Sequence, residues 1–174
     1  MYENVPGFAG NKFKDILQKL SISLEGSGFL VGQPLKIDAA DYGIPQRRER
    51  CLLFATNKTL SLVPEFNISA CKGRITVSNA FKGLQILRAG ERDSTDPLHF
   101  ARKHKGIALE RLSCIPKNGG SRSSLPSRLK LKCHKNKNSY PDVYGRMNED
   151  DIAPTLTTGC TDITRGRFAR SEER

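Results

Sequence analysis

The chain has little of what membrane and exported proteins carry. Tryptophan is absent, aromatic residues make up 7% of the 174 residues, and only two methionines occur. No apolar run approaches the length of about 18 residues that a membrane span needs, and no signal peptide follows Met1. We therefore expect a soluble intracellular protein without a membrane partner, cytoplasmic in a bacterium or nuclear in a eukaryote.

Cysteine is sparse and irregularly spaced. The five cysteines include no C-x-x-C pair, which argues against a disulfide framework and against a zinc ribbon. The three histidines stand near two cysteines without the spacing of any standard finger. The sequence therefore predicts reduced thiols and no metal site.

Positive charge is what the chain has in excess. The formal net charge is +11 and the pI is about 9.7, which favours a polyanionic partner, nucleic acid first. Residues 116–140 carry seven positive charges and no acid. This basic segment is either a solvated face or a loop that follows DNA phosphates. Its cations are Lys117, Arg122, Arg128, Lys130, Lys132, Lys135 and Lys137.

Hydrophobic periodicity predicts a helix followed by two strands in the first half. Apolar residues at helical spacing predict a helix from Phe13 to about Leu24, with Asn11 as a candidate N-cap and the turn 25–28 ending it. Alternation predicts a strand over 29–37. The run Cys51–Thr56 reads as a strand buried on both faces that pairs with 29–37 as in a hairpin.

The second half shows weaker patterns. Thr76 or Ser78 is placed to cap a short helix that contains Ala80, Phe81 and Leu84. From Arg88 onward, charged and turn residues dominate, and one further helical pattern covers 100–112. This part is therefore expected to be largely irregular.

Between the two predicted strands lies the stretch Gly43-Ile44-Pro45-Gln46-Arg47-Arg48-Glu49-Arg50. In extended chain, Gln46, Arg48 and Arg50 project to one side, and Arg47 and Glu49 project to the other. Two guanidinium groups beside one amide suit an anion or a polar ring. The alternative is a solvated loop of balanced charge.

Three stretches together resemble the DNA cytosine-5 methyltransferase family. The first is Glu3-Asn4-Val5, the second is Gly43–Arg50, and the third comprises Tyr144-Gly145-Arg146, Ala153–Gly159 and Gly166-Arg167-Phe168. They follow the family's order and span nearly the whole chain. The resemblance implies an α/β fold, with part of a Rossmann-like methyltransferase domain joined to a smaller, irregular α+β target-recognition domain. We expect the catalytic part at 1–60, a connecting segment at 61–90 and the recognition domain at 91–174.

The resemblance also implies roles for four residues near the active site. Glu3 matches the residue that hydrogen-bonds N3 of a cytosine flipped out of the duplex, and Arg50 matches the one that contacts its O2. Arg48 matches a residue near the attacking thiol and the DNA backbone. Asn4 is a weaker match to a contact of the methyl donor, S-adenosyl-L-methionine.

Further residues are candidate contacts to double-stranded DNA. They lie in the arginine stretch, in the basic segment and in the third family motif. Arg146 and Arg167 have an alternative, structural role. The candidates are Gln46, Arg47, Arg122, Arg128, Lys130, Tyr144, Arg146, Thr155, Thr157, Arg165 and Arg167.

The family's nucleophile lies in a Pro-Cys loop, and a glycine-rich loop binds the methyl donor, both upstream of the glutamate motif. No cysteine of this chain follows a proline. We therefore expect a fragment or subunit of a DNA cytosine-5 methyltransferase, inactive alone, that depends on a second polypeptide with those two loops. The alternatives are a DNA-binding module without catalysis, a relative that methylates tRNA, and a degenerate remnant.

Overall fold

A computed structural model describes residues 1–60, 69–135 and 142–169 of the chain. The chain forms two compact units, Met1–Arg74 and Ile75–Arg174. The boundary between the units lies in the stretch 61–90, where the sequence suggested a connecting segment. That the units are a catalytic part and a recognition domain stays a prediction.

The described residues of the first unit form one α-helix and five short strands. Strand β4 pairs antiparallel with β1 on one side and with β3 on the other, and β2 pairs antiparallel with β5. All strand pairs among the described residues of this unit are therefore antiparallel. The elements are β1 (Tyr2–Asn4), α1 (Lys14–Gly26), β2 (Phe29–Val31), β3 (Leu35–Asp38), β4 (Glu49–Leu53) and β5 (Ala55–Asn57).

The hairpin-like pairing across the arginine stretch is confirmed, but the single strand over 29–37 is wrong. Leu35 lies opposite Leu52, whereas Val31 lies opposite Ala55, so the register changes by one residue between the two ladders. Pro34, which has no N–H to donate, stands at the break. The predicted strand is thus two strands, each with its own partner.

The second predicted strand, 51–56, is divided between β4 and β5, and its buried character is confirmed for its first half. Cys51, Leu52 and Leu53 are consecutive and all buried, so both faces of β4 are covered. The following residues of β5 are half-buried or exposed.

Helix α1 is confirmed, but its N-cap is not Asn11. Asn11 instead begins a 3₁₀ turn, Asn11–Phe13, and Phe13 stands at the N-cap without a side-chain hydrogen bond. The predicted end holds, because α1 stops at Gly26 and Gly28 adopts a φ of 89°.

In the second unit, the part of the chain that the structure describes contains two α-helices, α2 (Val77–Ala80) and α3 (Gly106–Ser113). The hydroxyl of Thr76 accepts a hydrogen bond from the Asn79 N–H, which confirms Thr76 as the cap; Phe81 and Leu84 lie beyond the end of α2. The predicted helix over 100–112 is wrong over 100–105, because α3 begins at Gly106. Phe100 forms a bridge to Arg92 and the Ala101 N–H donates to Glu91, so these residues continue a short ladder instead.

The core of the second unit gathers distant parts of irregular chain. Side chains from α3 and from later turns form one buried cluster: Leu112, Ile115, Leu125, Leu129, Tyr144, Ile163 and Ala169. The segment 144–147 crosses this cluster and forms backbone hydrogen bonds with chain segments on both sides. Its Arg146 N–H donates to Gly120 and its Met147 N–H to Ala169.

The burial of Leu112 generates a stability prediction. Leu112 is 1% exposed, and Leu112→Ala should lower the free energy of unfolding by about 2–5 kcal/mol because it leaves a cavity in the core. The matched control is Leu98→Ala, since Leu98 is 85% exposed and its truncation should change stability by no more than about 0.5 kcal/mol. Urea unfolding measures both, and equal losses would contradict this core assignment.

Candidate functional site

The fold joins Glu3 to Arg50. Strand β1 lies beside β4 with Glu3 opposite Leu52, which places the Glu3 carboxylate next to the Arg50 side chain. Arg50 Nε donates to Glu3 Oε1 at 2.8 Å, between residues 47 positions apart in the sequence. The Glu3 side chain is 52% exposed and that of Arg50 22% exposed. The pair is therefore open to solvent on the acid's side and can meet a ligand there.

Hydrogen bonds hold the backbone of Arg48, whereas its guanidinium has no partner among the described residues. Its N–H donates to Asp38 Oδ1 at 2.8 Å, and its carbonyl accepts from the Ala39 N–H at 3.1 Å. The side chain is half-buried, and its guanidinium makes no hydrogen bond or ion pair with any described residue. A half-buried cation of this kind is placed to receive an acceptor from outside.

Asp38 is the residue that holds the arginine stretch in position, and the sequence reasoning missed it. Its carboxylate accepts from the N–H groups of Arg48 and Ala40. Burial alone would raise the pKa of Asp38, but these two N–H groups, with the guanidinium groups of Arg74 and Arg47, bring it below its usual value. The Asp-Ala-Ala sequence before a turn was the available signal, because an aspartate there commonly caps the turn.

The side chains of the arginine stretch alternate in burial, although only its last two residues, Glu49 and Arg50, belong to a strand. Gln46, Arg48 and Arg50 are half-buried, whereas Arg47 and Glu49 are exposed. Gly43 ends the preceding 3₁₀ turn with a φ of 81°, and the Gln46 N–H donates to the Ile44 carbonyl at 2.7 Å. Roles of Gln46 and Arg47 in DNA contact stay predictions.

Asn4 is the residue that the family resemblance matches to S-adenosyl-L-methionine, and its amide has two local partners. Its Nδ2 donates to the Tyr2 hydroxyl at 2.8 Å, and its Oδ1 accepts from the Val5 N–H at 2.8 Å. One N–H and one lone pair of the amide remain for a ligand. This one side chain does not by itself form a cradle for the methyl donor, and its role stays a prediction.

In the second unit, Tyr144 and Arg146 are part of the core. Arg146 is 2% exposed and donates to the carbonyls of Leu112 and Ile115 at 3.0 and 3.1 Å, at the carboxyl end of α3. A guanidinium there satisfies carbonyls that the helix leaves unpaired and complements the helix dipole. Tyr144 is 3% exposed, and its hydroxyl accepts from Arg111. The structural alternative is thus favoured for Arg146, and burial speaks against DNA contact by Tyr144.

The candidates in the basic segment differ in what engages them. Arg128 is exposed and forms an ion pair with Glu110 of α3, which raises the pKa of Arg128. Arg122 is half-buried in a 3₁₀ turn and has a partner, whereas Lys130 is exposed. Lys137 lies outside the described residues. A role of this segment in DNA binding stays a prediction.

Four of the predicted DNA contacts line one open cavity of about 510 Å³. They are Thr155, Thr157, Arg165 and Arg167, and the walls include Pro154 and Phe168. Thr155, Thr157 and Arg165 are exposed. The fold therefore brings together residues from two parts of the third family motif at one surface of the second unit.

Two kinds of feature are absent from the described residues. No group of three or more metal-binding side chains occurs among residues 1–60, 69–135 and 142–169. None of the helices described has the length and hydrophobicity that crossing a bilayer requires.

Comparison with known proteins identifies the family. The sequence profile of the family described as C-5 cytosine-specific DNA methylase matches residues 1–158. This chain belongs to that family.

Two similar relatives are named as type II enzymes. The type II methylase M.HgiDII of Herpetosiphon aurantiacus is 33% identical over 175 residues, an alignment with 98% of this chain and 48% of the relative. The type II methyltransferase M1.BsuMI of Bacillus subtilis is 28% identical over 172 residues, with 98% and 38% covered. The chain thus spans about half the length of the curated relatives it matches, or less.

A solved structure confirms the α/β fold class. It is a chain from E. coli described as a DNA modification methyltransferase encoded within a prophage. The TM-score is 0.58 at 21% identity, and the superposition covers 88% of this chain and 51% of the other.

The hydrogen bonds of Asp38 generate a pH-dependent prediction. Because its pKa is lower in the folded state, Asp38 contributes stability above its unfolded pKa of about 3.9, and the contribution is lost as pH falls through the folded value. Asp38→Asn should therefore destabilise the chain at pH 7, and the difference from wild type should shrink below about pH 4. Urea unfolding at several pH values measures this difference. The control is Glu49→Gln on the exposed face of β4, and a difference independent of pH would contradict the assignment.

Proposed function

We propose that this chain supplies the base-holding and DNA-contacting part of a DNA cytosine-5 methyltransferase. The observation that carries the proposal is the 2.8 Å bond between Arg50 Nε and Glu3 Oε1. It joins the two residues that the family resemblance assigns to a single cytosine ring, although they lie 47 positions apart in the sequence.

The chemistry of cytosine methylation explains why an acid and two arginines suit this site. C5 of cytosine becomes nucleophilic only after a thiolate adds to C6, and charge then accumulates at N3 and O2. Glu3 hydrogen-bonds N3, and Arg50 donates to O2. Hydrogen-bonding groups that are already oriented before the reaction stabilise such charge more effectively than water does.

Arg48 has a second role in this proposal. Its backbone is fixed by Asp38 while its guanidinium has no partner among the described residues. We assign this guanidinium to the attacking thiol or to a phosphate of the bound strand, both of which are anionic. Asp38 then acts as a positioning residue, because it holds the Arg48 backbone and does not touch the substrate.

Methyl transfer needs an attacking thiol and a binding site for the methyl donor. None of the five cysteines follows a proline, and Asn4 is the one residue that the resemblance matches to S-adenosyl-L-methionine. We propose that the thiol and the donor-binding loops come from residues outside this sequence, in the same or in a second polypeptide. The relatives are bacterial, which favours a cytoplasmic location over a nuclear one.

A DNA-binding module without catalysis is the second candidate. The net charge of +11 favours it, and so does the group of candidate DNA contacts around one cavity. The two candidates share DNA binding and differ in whether Glu3 matters for a reaction. The tRNA alternative is less favoured, because the relatives are named as type II methylases.

The first test is methyl incorporation into mixed-sequence duplex DNA by the purified chain with labelled S-adenosyl-L-methionine. We expect none, because no thiol is positioned for attack. Incorporation would mean that one of the five cysteines serves as the nucleophile, and it would overturn the proposal that the thiol comes from elsewhere.

The second test uses a fusion of this chain to the upstream half of the Herpetosiphon relative. In an active fusion, Glu3→Gln should lower kcat by about 10²–10³-fold, the loss typical of removing one electrostatic contact to the transition state. Stability should barely change, since an exposed ion pair contributes no more than about 1 kcal/mol. Glu49→Gln is the control; a Glu3→Gln fusion as active as its parent would favour the module without catalysis.

A further inference from the structure

The arginines on either side of Gly166 have opposite environments. Arg167 is engaged on every side: its Nε donates to Asp142 Oδ1 at 3.1 Å, and its Nη1 donates to the carbonyls of Gly119, Gly120 and Arg146 at 2.7, 3.0 and 3.1 Å. Its side chain is 24% exposed. Arg167 thus connects three stretches of irregular chain, and its guanidinium is used by the fold.

The environment of Arg165 is the opposite of that of Arg167. It is exposed, and its guanidinium makes no hydrogen bond or ion pair with any residue that the structure describes. The aliphatic part of the Arg165 side chain nevertheless has a defined position. A Cβ added to Gly159 would stand 3.7 Å from Arg165 Cγ and 3.8 Å from Nε, so the side chain lies in contact range over this glycine.

The backbone on both sides of this contact is held in tight turns. Gly159 has a φ of 81°, and the Cys160 N–H donates to the Thr157 carbonyl at 3.1 Å. On the other side, the Arg165 N–H donates to the Asp162 carbonyl at 2.9 Å, and Asp162 Oδ1 accepts from the Thr164 N–H. Arg165 therefore combines a fixed base with a free guanidinium, which reduces the entropy that a ligand contact would cost.

The free guanidinium belongs to the cavity of about 510 Å³. The same cavity is lined by the exposed Thr157, whose hydroxyl is a further donor, and by Phe168. Phe168 is held close to the backbone, because a Cβ at Gly166 would come within 2.5 Å of its ring. The one acid in the lining, Asp142, is paired with Arg167. The charge in the cavity lining that has no partner among the described residues is therefore the positive charge of Arg165.

We propose that Arg165 binds a pair of neighbouring acceptors on duplex DNA, while Arg167 only maintains the surface that carries it. Two acceptor pairs on DNA match a guanidinium: two oxygens of one phosphate, and O6 with N7 of guanine in the major groove. This inference rests on the proposed function, from which it takes DNA as the partner. Beyond the proposed function, the inference states which of the two arginines contacts the DNA.

The experiment compares Arg165→Ala and Arg165→Lys with Arg88→Ala in the whole chain. Arg88 is exposed and does not line the cavity, so its variant removes the same charge elsewhere. Fluorescence anisotropy with mixed-sequence duplexes measures Kd at several salt concentrations. We expect Arg165→Ala to weaken binding by roughly tenfold or more and Arg88→Ala to have a clearly smaller effect. Urea unfolding should show wild-type stability for Arg165→Ala and Arg88→Ala. Arg167→Ala should unfold at a lower urea concentration.

Two results separate the acceptors. A phosphate contact predicts an equal loss on all duplexes, a salt slope reduced by about 1, and substantial rescue by Arg165→Lys. A guanine contact predicts a changed preference in selection from a randomised duplex library and a matching loss on 7-deazaguanine substitution, without rescue by lysine.

Two other results would count against a proposal, and they differ. If the wild-type chain binds DNA and Arg165→Ala binds with the same affinity and salt slope, or if Arg88→Ala loses as much, this inference is wrong and the proposed function stands. If the folded wild-type chain binds no duplex, DNA contact by the chain fails, and this inference fails with it.

Discussion

The central position of β4 is the constraint on which the first unit depends. Its three buried residues, Cys51 to Leu53, are covered on both faces, and its edges pair with β1 and β3. Glu3 lies opposite Leu52 in this register, which puts its side chain on the same face of the sheet as Arg50. A one-residue shift of β1 would turn Glu3 to the other face, away from Arg50. The meeting of Glu3 with Arg50 is therefore a consequence of how β1 pairs with β4.

In the second unit, arginine side chains stabilise the fold by donating hydrogen bonds to backbone carbonyls. Its chain is mostly irregular, and irregular chain leaves backbone carbonyls without partners in a helix or sheet. Arg146 and Arg167 donate to five backbone carbonyls, and Arg111 donates to that of Leu129. The guanidinium is suited to this because it offers five donors in a rigid plane. Part of the net charge therefore stabilises the fold and is not available to a polyanion.

This division changes how the basic composition is interpreted. A charge of +11 points to nucleic acid, but the arginines differ in whether their guanidinium groups are engaged. Arg48 and Arg165 have no partner among the described residues, and they lie in the two places where the family resemblance expects DNA. Membership of the C-5 cytosine-specific DNA methylase family is consistent with that distribution. The chain corresponds to about half of its relatives, and the proposed function assigns the thiol and the methyl donor to residues outside it.

Local patterns in the sequence determined the parts of the fold that depend on neighbours along the chain. Helical spacing located α1, an apolar run located β4, the cap at Thr76 located α2, and the three motifs identified the family. Only the tertiary structure decided which strands pair, that Asp38 holds the Arg48 backbone, that Arg146 is buried under α3, and that Arg165 is free while Arg167 is not. The physical reason is that periodicity and capping are local properties. Register and the satisfaction of carbonyls depend on residues tens of positions apart, which no spacing rule relates.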